Sequence, residues 1–315
     1  MIGDWRVLVT GAGGFVCRNI VEWMLEAGHA VVAVDRSFDV ALRQKWQTTW
    51  DTRLEILETN SQHLPDLAVD ALIHGAAITA TPDEAGQTPE ANFRANIDPL
   101  LNALQWGEQQ GVRRSIFISS GAVYRETPPG PIYETTLPSP YGMYAIAKHT
   151  METLVETLRD QYGRDAIVIR LGSIYGPGEF SRQTRPNVSL IGGMVREAVK
   201  TGRISVPESG RSVSWTFAPD IGQAAESLLR SPRLAHHLYN AVSGEVFTPQ
   251  AIAHEIKNIL PDTELAVQPV AIEAPPRQGY LANDRLQQEI GFDQWTGLAD
   301  GLRQTITYFQ EHEGI

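Results

Sequence analysis

The feature that most constrains the fold of this chain is a glycine-rich turn near its start, Thr10-Gly11-Ala12-Gly13-Gly14-Phe15. The apolar run at 6–10 predicts a short buried strand before the turn, and residues 14–27 predict a helix after it. A second predicted strand, 30–35, ends in Asp35. In such a unit, backbone N–H groups at the start of the helix approach a pyrophosphate, and the acidic side chain accepts hydrogen bonds from a ribose. The pattern therefore predicts a βαβ unit that binds a dinucleotide.

The same alternation of strand and helix continues through the first half of the chain. Further strands are predicted at 54–58, 70–74, 115–119 and 166–171, and further helices at 39–47, 88–110 and 141–162. Such alternation is typical of a parallel sheet that carries helices on both faces. We therefore expect an α/β fold built on a doubly wound parallel sheet.

The pattern changes after Tyr175-Gly176-Pro177-Gly178. Helices are predicted at 189–201, 219–230, 249–259, 282–290 and 298–312, with a Ser-rich stretch at 205–216 and a buried strand at 237–242. We expect that strand to rejoin the main sheet. The expected organisation is a larger domain at 1–175, rejoined by about 219–260, and a smaller interleaved C-terminal substrate-binding cap from 176–218 and 261–315.

Tyr144 and Lys148 are the strongest candidates for chemistry, because residues at i and i+4 share one face of a helix. A phenol beside an ammonium suits proton transfer at a carbon–oxygen bond. Free tyrosine has a pKa of about 10, and lowering it to about 7 needs about 4 kcal/mol of differential stabilisation. A neighbouring lysine and a bound nicotinamide cation would together supply that amount. Tyr141 is the alternative base. Glu152, four residues after Lys148, is interpreted as its partner on the helix face and not as a catalytic acid.

The composition argues against several classes of partner. A formal net charge of -11 and a pI of about 5.2 leave no basic stripe for nucleic acid or an anionic membrane. No apolar run approaches the roughly 18 residues that span a bilayer, and the early first strand leaves no room for a signal peptide. The single cysteine, Cys17, rules out an internal disulfide and fits a reducing cytoplasm. The histidines show no metal-ligand spacing, so we expect no metal site.

Several further motifs follow in order along the chain. They are His74-Gly75-Ala76-Ala77, Asn96, Ser119-Ser120-Gly121-Ala122-Val123-Tyr124, Tyr144 with Lys148, and Arg170-Leu171-Gly172-Ser173-Ile174-Tyr175-Gly176-Pro177-Gly178. With the glycine turn, this series resembles the extended short-chain dehydrogenase/reductase superfamily, the group called NAD-dependent epimerases/dehydratases. The resemblance covers nearly the whole chain. It implies a Rossmann-type domain, a nicotinamide cofactor, a substrate cleft beneath the cap, and a homodimer formed through the helices near 88–110 and 141–162.

The resemblance also assigns roles to individual residues. Those implied for cofactor binding are Gly11, Gly13, Gly14, Phe15, Val16, Asp35, Arg36, Asn60, Ala76, Ala77, Asn96, Tyr144 and Lys148. Tyr144 is implied as the acid/base and Ser120 as the hydroxyl that holds the substrate oxygen. Lys148 is implied to bind the nicotinamide ribose and to lower the tyrosine pKa. Candidate substrate contacts are Thr79, Ser120, Gly121, Ser173, Arg182, Arg185, Asn187, Arg211 and Trp215.

Two departures from the family pattern concern the cofactor. Cys17 occupies the third glycine position of the turn, where glycine normally allows close packing of helix on strand, and cysteine is small enough to be tolerated. Arg36 follows Asp35, and an arginine there accommodates the 2′-phosphate of NADP, whereas the Asp35 carboxylate disfavours that phosphate. NAD is therefore the expected cofactor, with NADP left open.

Departures in the substrate half set the order of the functional hypotheses. Members that act on nucleotide sugars usually have a diphosphate-gripping arginine at the position of Val213 and an asparagine at that of Ser173, with Arg211 as the nearest replacement for the arginine here. We therefore expect first an NAD-dependent oxidoreductase that acts on a hydroxyl or carbonyl of a sugar, sugar acid or polyol-like substrate. The alternatives are a nucleotide-sugar (UDP-sugar) 4-epimerase with tightly bound NAD and a non-catalytic NAD-binding redox sensor. A dehydratase is disfavoured, because Gly121-Ala122 follow Ser120 where that chemistry uses added acid/base residues.

Overall fold

The structure, a computed structural model, describes residues 4–60, 63–127, 129–208, 212–268 and 279–312. Its strands are β1 (Arg6–Thr10), β2 (Ala30–Asp35), β3 (Leu54–Glu58), β4 (Ala71–His74), β5 (Arg114–Ser120), β6 (Gly130–Ile132), β7 (Ala166–Leu171), β8 (Ser173–Tyr175), β9 (Arg203–Pro207), β10 (Val213–Phe217), β11 (Leu238–Ala241), β12 (Val246–Phe247), β13 (Glu264–Gln268) and β14 (Gly279–Leu281). Its helices are α1 (Phe15–Glu26), α2 (Val40–Trp50), α3 (Pro82–Ala85), α4 (Pro89–Gln109), α5 (Met143–Tyr162), α6 (Leu190–Thr201), α7 (Ala218–Arg230), α8 (Pro249–Ile259), α9 (Asp284–Ile290) and α10 (Leu298–Glu311). None of the helices in these ranges is long and apolar enough to cross a bilayer.

The main sheet has seven strands in the order β11-β7-β5-β4-β1-β2-β3, and every neighbouring pair is parallel. The strand order reverses between β1 and β4, and open parallel sheets bind ligands at the carboxyl ends of their strands at such a point. β11 pairs with β7, so the chain returns to the sheet near its end as predicted. The predicted α/β fold with a Rossmann-type parallel sheet is confirmed.

The sheet is covered on both faces because its central strands are apolar on both sides. One core contains Val7, Val9 and Ile73 of the strands, packed with apolar residues of α1 and α7. A second cluster joins Phe117 and Val168 to residues of α4 and α5. Parallel strands buried on both faces require near-continuous apolar runs, which is what the sequence of these strands provides.

A separate core lies in the C-terminal half of the chain. Apolar residues of α6, α8 and α10 pack together there, with β9 and β10 beside them. The predicted return segment at 219–260 is therefore shared: α7 and β11 join the core of the main sheet, whereas α8 joins this separate core. The division into two domains stays a prediction. The Ser-rich stretch at 205–216 contributes residues to both β9 and β10, which its composition did not predict.

The third glycine position of the turn is filled by Cys17 because the facing residue is small. Cys17 is buried, and its Sγ points at Gly75, the residue that follows β4. A Cβ placed on Gly75 would overlap that sulfur. The close approach that the family obtains from a glycine on the helix is obtained here from a glycine on the strand side.

We expect Gly75→Ala to lower the free energy of unfolding by about 1–3 kcal/mol, because the new methyl group overpacks a filled site. Cys17→Ala removes the sulfur, so the double variant should recover most of that loss. Urea unfolding of the wild type, both single variants and the double variant measures the coupling. A double variant no more stable than Gly75→Ala alone would show that this contact does not limit packing.

Candidate active site

Two adjoining cavities lie at the carboxyl edge of the main sheet. The larger, about 1110 Å³, is lined by the glycine turn, the end of β2 and the loop after β4. The smaller, about 370 Å³, contains the predicted catalytic residues Ser120, Tyr144 and Lys148. The residues that line both cavities are Gly11, Gly14, Gly75, Ala77, Phe180, Arg182 and Thr184. The glycine turn therefore lies where the two cavities meet.

The glycine turn brings two backbone segments into close contact. Gly11 has a φ of +72°, and a Cβ there would lie 2.7 Å from the backbone nitrogen of Ala76. Only glycine combines that conformation with that approach. Gly14 is the N-cap of α1 and makes no side-chain cap, and the first turn of α1 contains no acidic residue. The backbone N–H groups in the first turn of α1 can therefore bind an anion in the cleft.

Asp35 lies at the end of β2 in the larger cavity and is tied to the glycine turn. Its carboxylate accepts hydrogen bonds from the backbone N–H of Gly13 at 2.9 Å and of Arg36 at 2.7 Å. Burial raises the pKa of Asp35, and these two bonds oppose the rise. Arg36 is exposed at the rim of the same cavity. The carboxylate is thus preorganised at the end of the cavity where an adenosine ribose is expected.

The remaining predicted cofactor residues divide into those that line the cleft and those that support it. Asn60 and Ala76 line the larger cavity, Phe15 and Val16 line the smaller, and Ala77 lines both. Asn96 lines neither cavity. It is buried, and its amide exchanges hydrogen bonds of 2.9 and 3.2 Å with the backbone of Ile78. Asn96 therefore shapes the loop after β4 from behind, and Gly13 acts through its bond to Asp35.

The predicted catalytic side chains converge in the smaller cavity. Ser120 is the last residue of β5, and its hydroxyl and the Tyr144 phenol line the same cavity. Lys148 lies one turn later on α5, with its Nζ 5.7 Å from the Tyr144 ring centroid and 2.6 Å from the Ile118 carbonyl oxygen. These contacts place a hydroxyl, a phenol and an ammonium around one small space.

Burial sets the protonation of this group. It lowers the pKa of Lys148 to about 8 and raises that of Tyr144. The Ser120 hydroxyl and the charge of Arg185 oppose the rise of the Tyr144 pKa. The resemblance assigned the lowering of the Tyr144 pKa to Lys148. In the structure, the groups that act to lower this pKa are Ser120 and Arg185. A cationic cofactor ring beside the phenol would act in the same direction as these groups.

Tyr141, the alternative base, lies outside both cavities. Its side chain is 69% exposed and stacks under the Arg125 guanidinium at 3.9 Å. The geometry therefore favours Tyr144.

A buried ion pair between Glu152 and Arg170, which the sequence did not predict, lies beneath the site. Glu152 is 5% exposed and binds Arg170 through two hydrogen bonds of 2.8 and 2.7 Å. It also accepts a 2.6 Å hydrogen bond from Ser119, which precedes the predicted catalytic residue Ser120. Arg170 donates a further bond to the Tyr124 hydroxyl. The expected partner of Glu152 on the helix face was Lys148, whereas its ion-pair partner is Arg170, because this face of α5 packs on β7.

Most candidate substrate contacts also reach the smaller cavity. Its lining includes Thr79, Ser120, Ser173, Arg182, Arg185, Asn187 and Trp215. Gly121 does not line it, and Arg211 lies outside the described residues. The Asn187 amide donates to Glu84 at 3.0 Å. Glu179 was not predicted from the sequence; it is fully buried and accepts a 2.7 Å bond from Arg185.

Metal ligation has no obvious place in the described parts of the chain. Within them, no group of three or more His, Cys, Asp or Glu side chains is arranged to hold a metal ion. His74, at the end of β4, is buried and hydrogen-bonded to the Thr10 hydroxyl at 2.8 Å.

We expect His74 to make the protein less stable at acidic pH. Burial, aided by the charge of Lys148, lowers the pKa of His74 from 6.5 to about 3. Below pH 6.5 the unfolded chain therefore binds a proton that the folded protein excludes, and stability falls as pH falls. Between pH 6.5 and 5 this contributes about 2 kcal/mol. Urea unfolding at both pH values should show a smaller pH dependence for His74→Gln; an equal dependence would contradict the assignment.

The comparisons with known proteins agree with this fold. The NAD dependent epimerase/dehydratase family matches residues 7–241. A Bacillus subtilis protein named as an uncharacterized UDP-glucose epimerase is 24% identical over 96% of this chain and 97% of its own. The UDP-glucuronate 4-epimerase of Thermodesulfobacterium geofontis is 29% identical over 58% of each chain.

Solved structures extend the likeness to the whole fold. A UDP-N-acetylglucosamine 4-epimerase from Methanobrevibacter ruminantium has a TM-score of 0.83 at 21% identity, over 99% of this chain and 100% of its own. A UDP-glucose 4-epimerase from Bifidobacterium longum, solved with NAD+ and UDP, has a TM-score of 0.82 at 15% identity, over 97% and 98%. Since the family match covers most of the chain, and the glycine turn, Tyr144 and Lys148 occupy one cleft, the chain belongs to the NAD-dependent epimerase/dehydratase family.

Proposed function

We propose that this protein oxidises a hydroxyl carbon of a nucleotide-linked sugar with NAD and then returns the hydride within the same active site, as a nucleotide-sugar epimerase does. The observation that carries the proposal is the placement of Ser120, Tyr144 and Lys148 around a cavity that adjoins the glycine turn. NAD is the cofactor of the family, and the open start of α1 and the preorganised Asp35 fit its pyrophosphate and its adenosine ribose.

The residues of the smaller cavity divide the chemistry among them. Bound NAD supplies a carbon that accepts and returns a hydride. Tyr144 takes the proton of the substrate hydroxyl, and Ser120 holds that oxygen in line by a hydrogen bond. Lys148 places a positive charge near the phenol, and its 2.6 Å bond to Ile118 fixes it at the end of β5. These roles are the same whether the hydride is returned or released as NADH.

The nucleotide-linked sugar is inferred from the relatives. The B. subtilis protein, aligned over nearly the full length of both chains, is named for a UDP-sugar substrate, as is the T. geofontis enzyme. This inference places the epimerase ahead of the net oxidoreductase that the sequence analysis ranked first.

A net dehydrogenase of a free sugar or sugar acid is the second candidate, and one observation favours it. Val213 begins β10 at the position where the diphosphate-binding arginine is expected. Arg185, which lines the catalytic cavity, is already paired with Glu179. A site with a weak diphosphate clamp would suit a smaller substrate. A redox sensor without catalysis is the least favoured hypothesis, because it has no use for the three converging catalytic groups.

The test separates these functions by their products. The purified protein is incubated with UDP-glucose, UDP-glucuronate, free glucose and free glucuronate; NADH is followed at 340 nm and isomers by NMR. A new UDP-sugar isomer without net NADH would support the epimerase. Net NADH from a free sugar or sugar acid would replace it by the dehydrogenase. Tyr144→Phe serves as the control for contaminating activity.

The homodimer and the cytoplasmic location remain proposals. Leu101 on α4 is 47% exposed and Ile146 on α5 is 37% exposed, so both helices present apolar side chains to solvent. A second copy that covers both helices would remove this surface from water. Sedimentation equilibrium would decide between monomer and dimer.

A further inference from the structure

A short loop after β8 lines both cavities and is hydrogen-bonded to the loop after β4. Arg182 and Arg185 form a tight turn with reciprocal backbone hydrogen bonds of 2.9 Å. The carbonyl oxygen of Thr184 at the tip accepts hydrogen bonds from the backbone N–H of Thr79 at 2.9 Å and of Ala80 at 3.2 Å. The tip of the turn is therefore fixed against the loop after β4, beside the glycine turn.

The two arginines of this turn are in different electrostatic states. Arg185 donates to the buried Glu179 carboxylate at 2.7 Å, and its guanidinium lies 4.9 Å from the Phe15 ring centroid. Glu179 also accepts hydrogen bonds from the Ser189 backbone N–H at 2.8 Å and hydroxyl at 2.6 Å. Arg185 is thus an anchor of the loop. The Arg182 guanidinium, by contrast, makes no hydrogen bond or ion pair with any described part of the chain.

Arg182 lies where the two cavities meet. Of the described residues that line both cavities, it alone is charged. Gly11 and Gly14 of the glycine turn line both cavities as well. Burial raises the pKa of Asp35 at the adenosine end, and the charge of Arg182 is among the groups that oppose this rise. Tyr144 marks the other end of the cleft. An extended dinucleotide placed along this cleft has its pyrophosphate at the junction.

We propose that Arg182 binds the cofactor pyrophosphate across from the glycine turn, and that it is a cofactor ligand in place of the substrate contact that the sequence suggested. The planar guanidinium matches phosphate oxygens in pairs. The backbone N–H groups at the start of α1 supply the opposite side. In a chain of net charge -11, such a local cation offsets the repulsion of a dianionic group. The inference rests on the proposed dinucleotide site and is independent of which sugar is bound.

Calorimetry with three ligands measures how much the contact between Arg182 and the pyrophosphate contributes to binding. The dissociation constants of NAD, ADP and adenosine are measured for the nucleotide-free wild type, Arg182→Ala, Arg182→Lys and Arg203→Ala. Arg182→Ala should weaken NAD and ADP by about 10- to 100-fold and leave adenosine unchanged, since adenosine has no phosphate. Arg182→Lys should be intermediate, because it keeps the charge and loses the fork. Arg203 is exposed on β9 away from the cleft, and its variant should match the wild type.

Three results would overturn the proposal. Unchanged ADP and NAD affinities in Arg182→Ala would show that Arg182 does not bind the pyrophosphate and instead contacts the substrate or solvent. Equal weakening of adenosine and ADP would show that the substitution loosens the loop without removing a phosphate contact. A wild type that binds none of the three ligands would contradict the dinucleotide site itself, and with it the proposed function.

Discussion

Tyr144→Phe should lower kcat by about 100- to 10,000-fold, the range that a positioned general acid/base contributes. Phenylalanine keeps the ring that packs near Lys148 and removes only the hydroxyl in the cavity that Ser120 also lines. NAD affinity should change little, because the ring and the lysine remain. Single-turnover absorbance at 340 nm, with saturating substrate, measures the hydride step directly.

Tyr141→Phe is the matched control for that variant. It removes the same hydroxyl three residues earlier, from a side chain that is 69% exposed and outside the cavity. We expect its kcat to stay within about twofold of the wild type, as for most surface substitutions. If Tyr141→Phe abolished turnover while Tyr144→Phe remained active, the assignment of the base would be wrong.

Glu152→Ala should lower the free energy of unfolding by about 3–5 kcal/mol, because it leaves the Arg170 charge buried without its carboxylate. The Glu152 and Arg170 side chains are only 6% and 3% exposed, and Glu152 also accepts a hydrogen bond from Ser119, the neighbour of Ser120. Loss of the pair should therefore disturb the end of β5 as well as the fold. Urea unfolding at pH 7 measures the effect.

Glu156→Ala is the control on the same helix. Its carboxylate is 55% exposed and lies 3.8 Å from His237, so its removal should cost less than about 1 kcal/mol. Equal destabilisation by the two variants would indicate that the loss at Glu152 reflects the helix and not the buried ion pair.

The site was predictable where its parts are close together in the sequence. The glycine turn and Asp35 belong to one βαβ unit, and Tyr144 with Lys148 belong to one helical turn. Local periodicity and turn chemistry fix such groups before any long-range packing is known. Ser120 was predictable as well, because the end of a parallel strand faces the cleft by topology.

Asn96 and Gly121 illustrate the limit of carrying roles over by position. Both lie at the expected places in the chain, yet Asn96 hydrogen-bonds Ile78 behind the cleft, and Gly121 packs near Leu281 away from the smaller cavity. Which way a side chain faces depends on the packing of the surrounding loops, and a linear motif does not contain that information.

The sequence alone thus determined the parallel sheet, the dinucleotide turn and the pairing of Tyr144 with Lys148, because each depends on spacing within a single element or unit. Only the tertiary structure decided that Gly75 makes room for Cys17, that Glu152 pairs with Arg170, and that Glu179 neutralises Arg185. It also decided that the Arg182 guanidinium pairs with none of the described residues. Burial and ion pairing are set by which surfaces meet after folding. A charged or small residue therefore carries little local sign of whether it will anchor a loop, support a site or face a ligand.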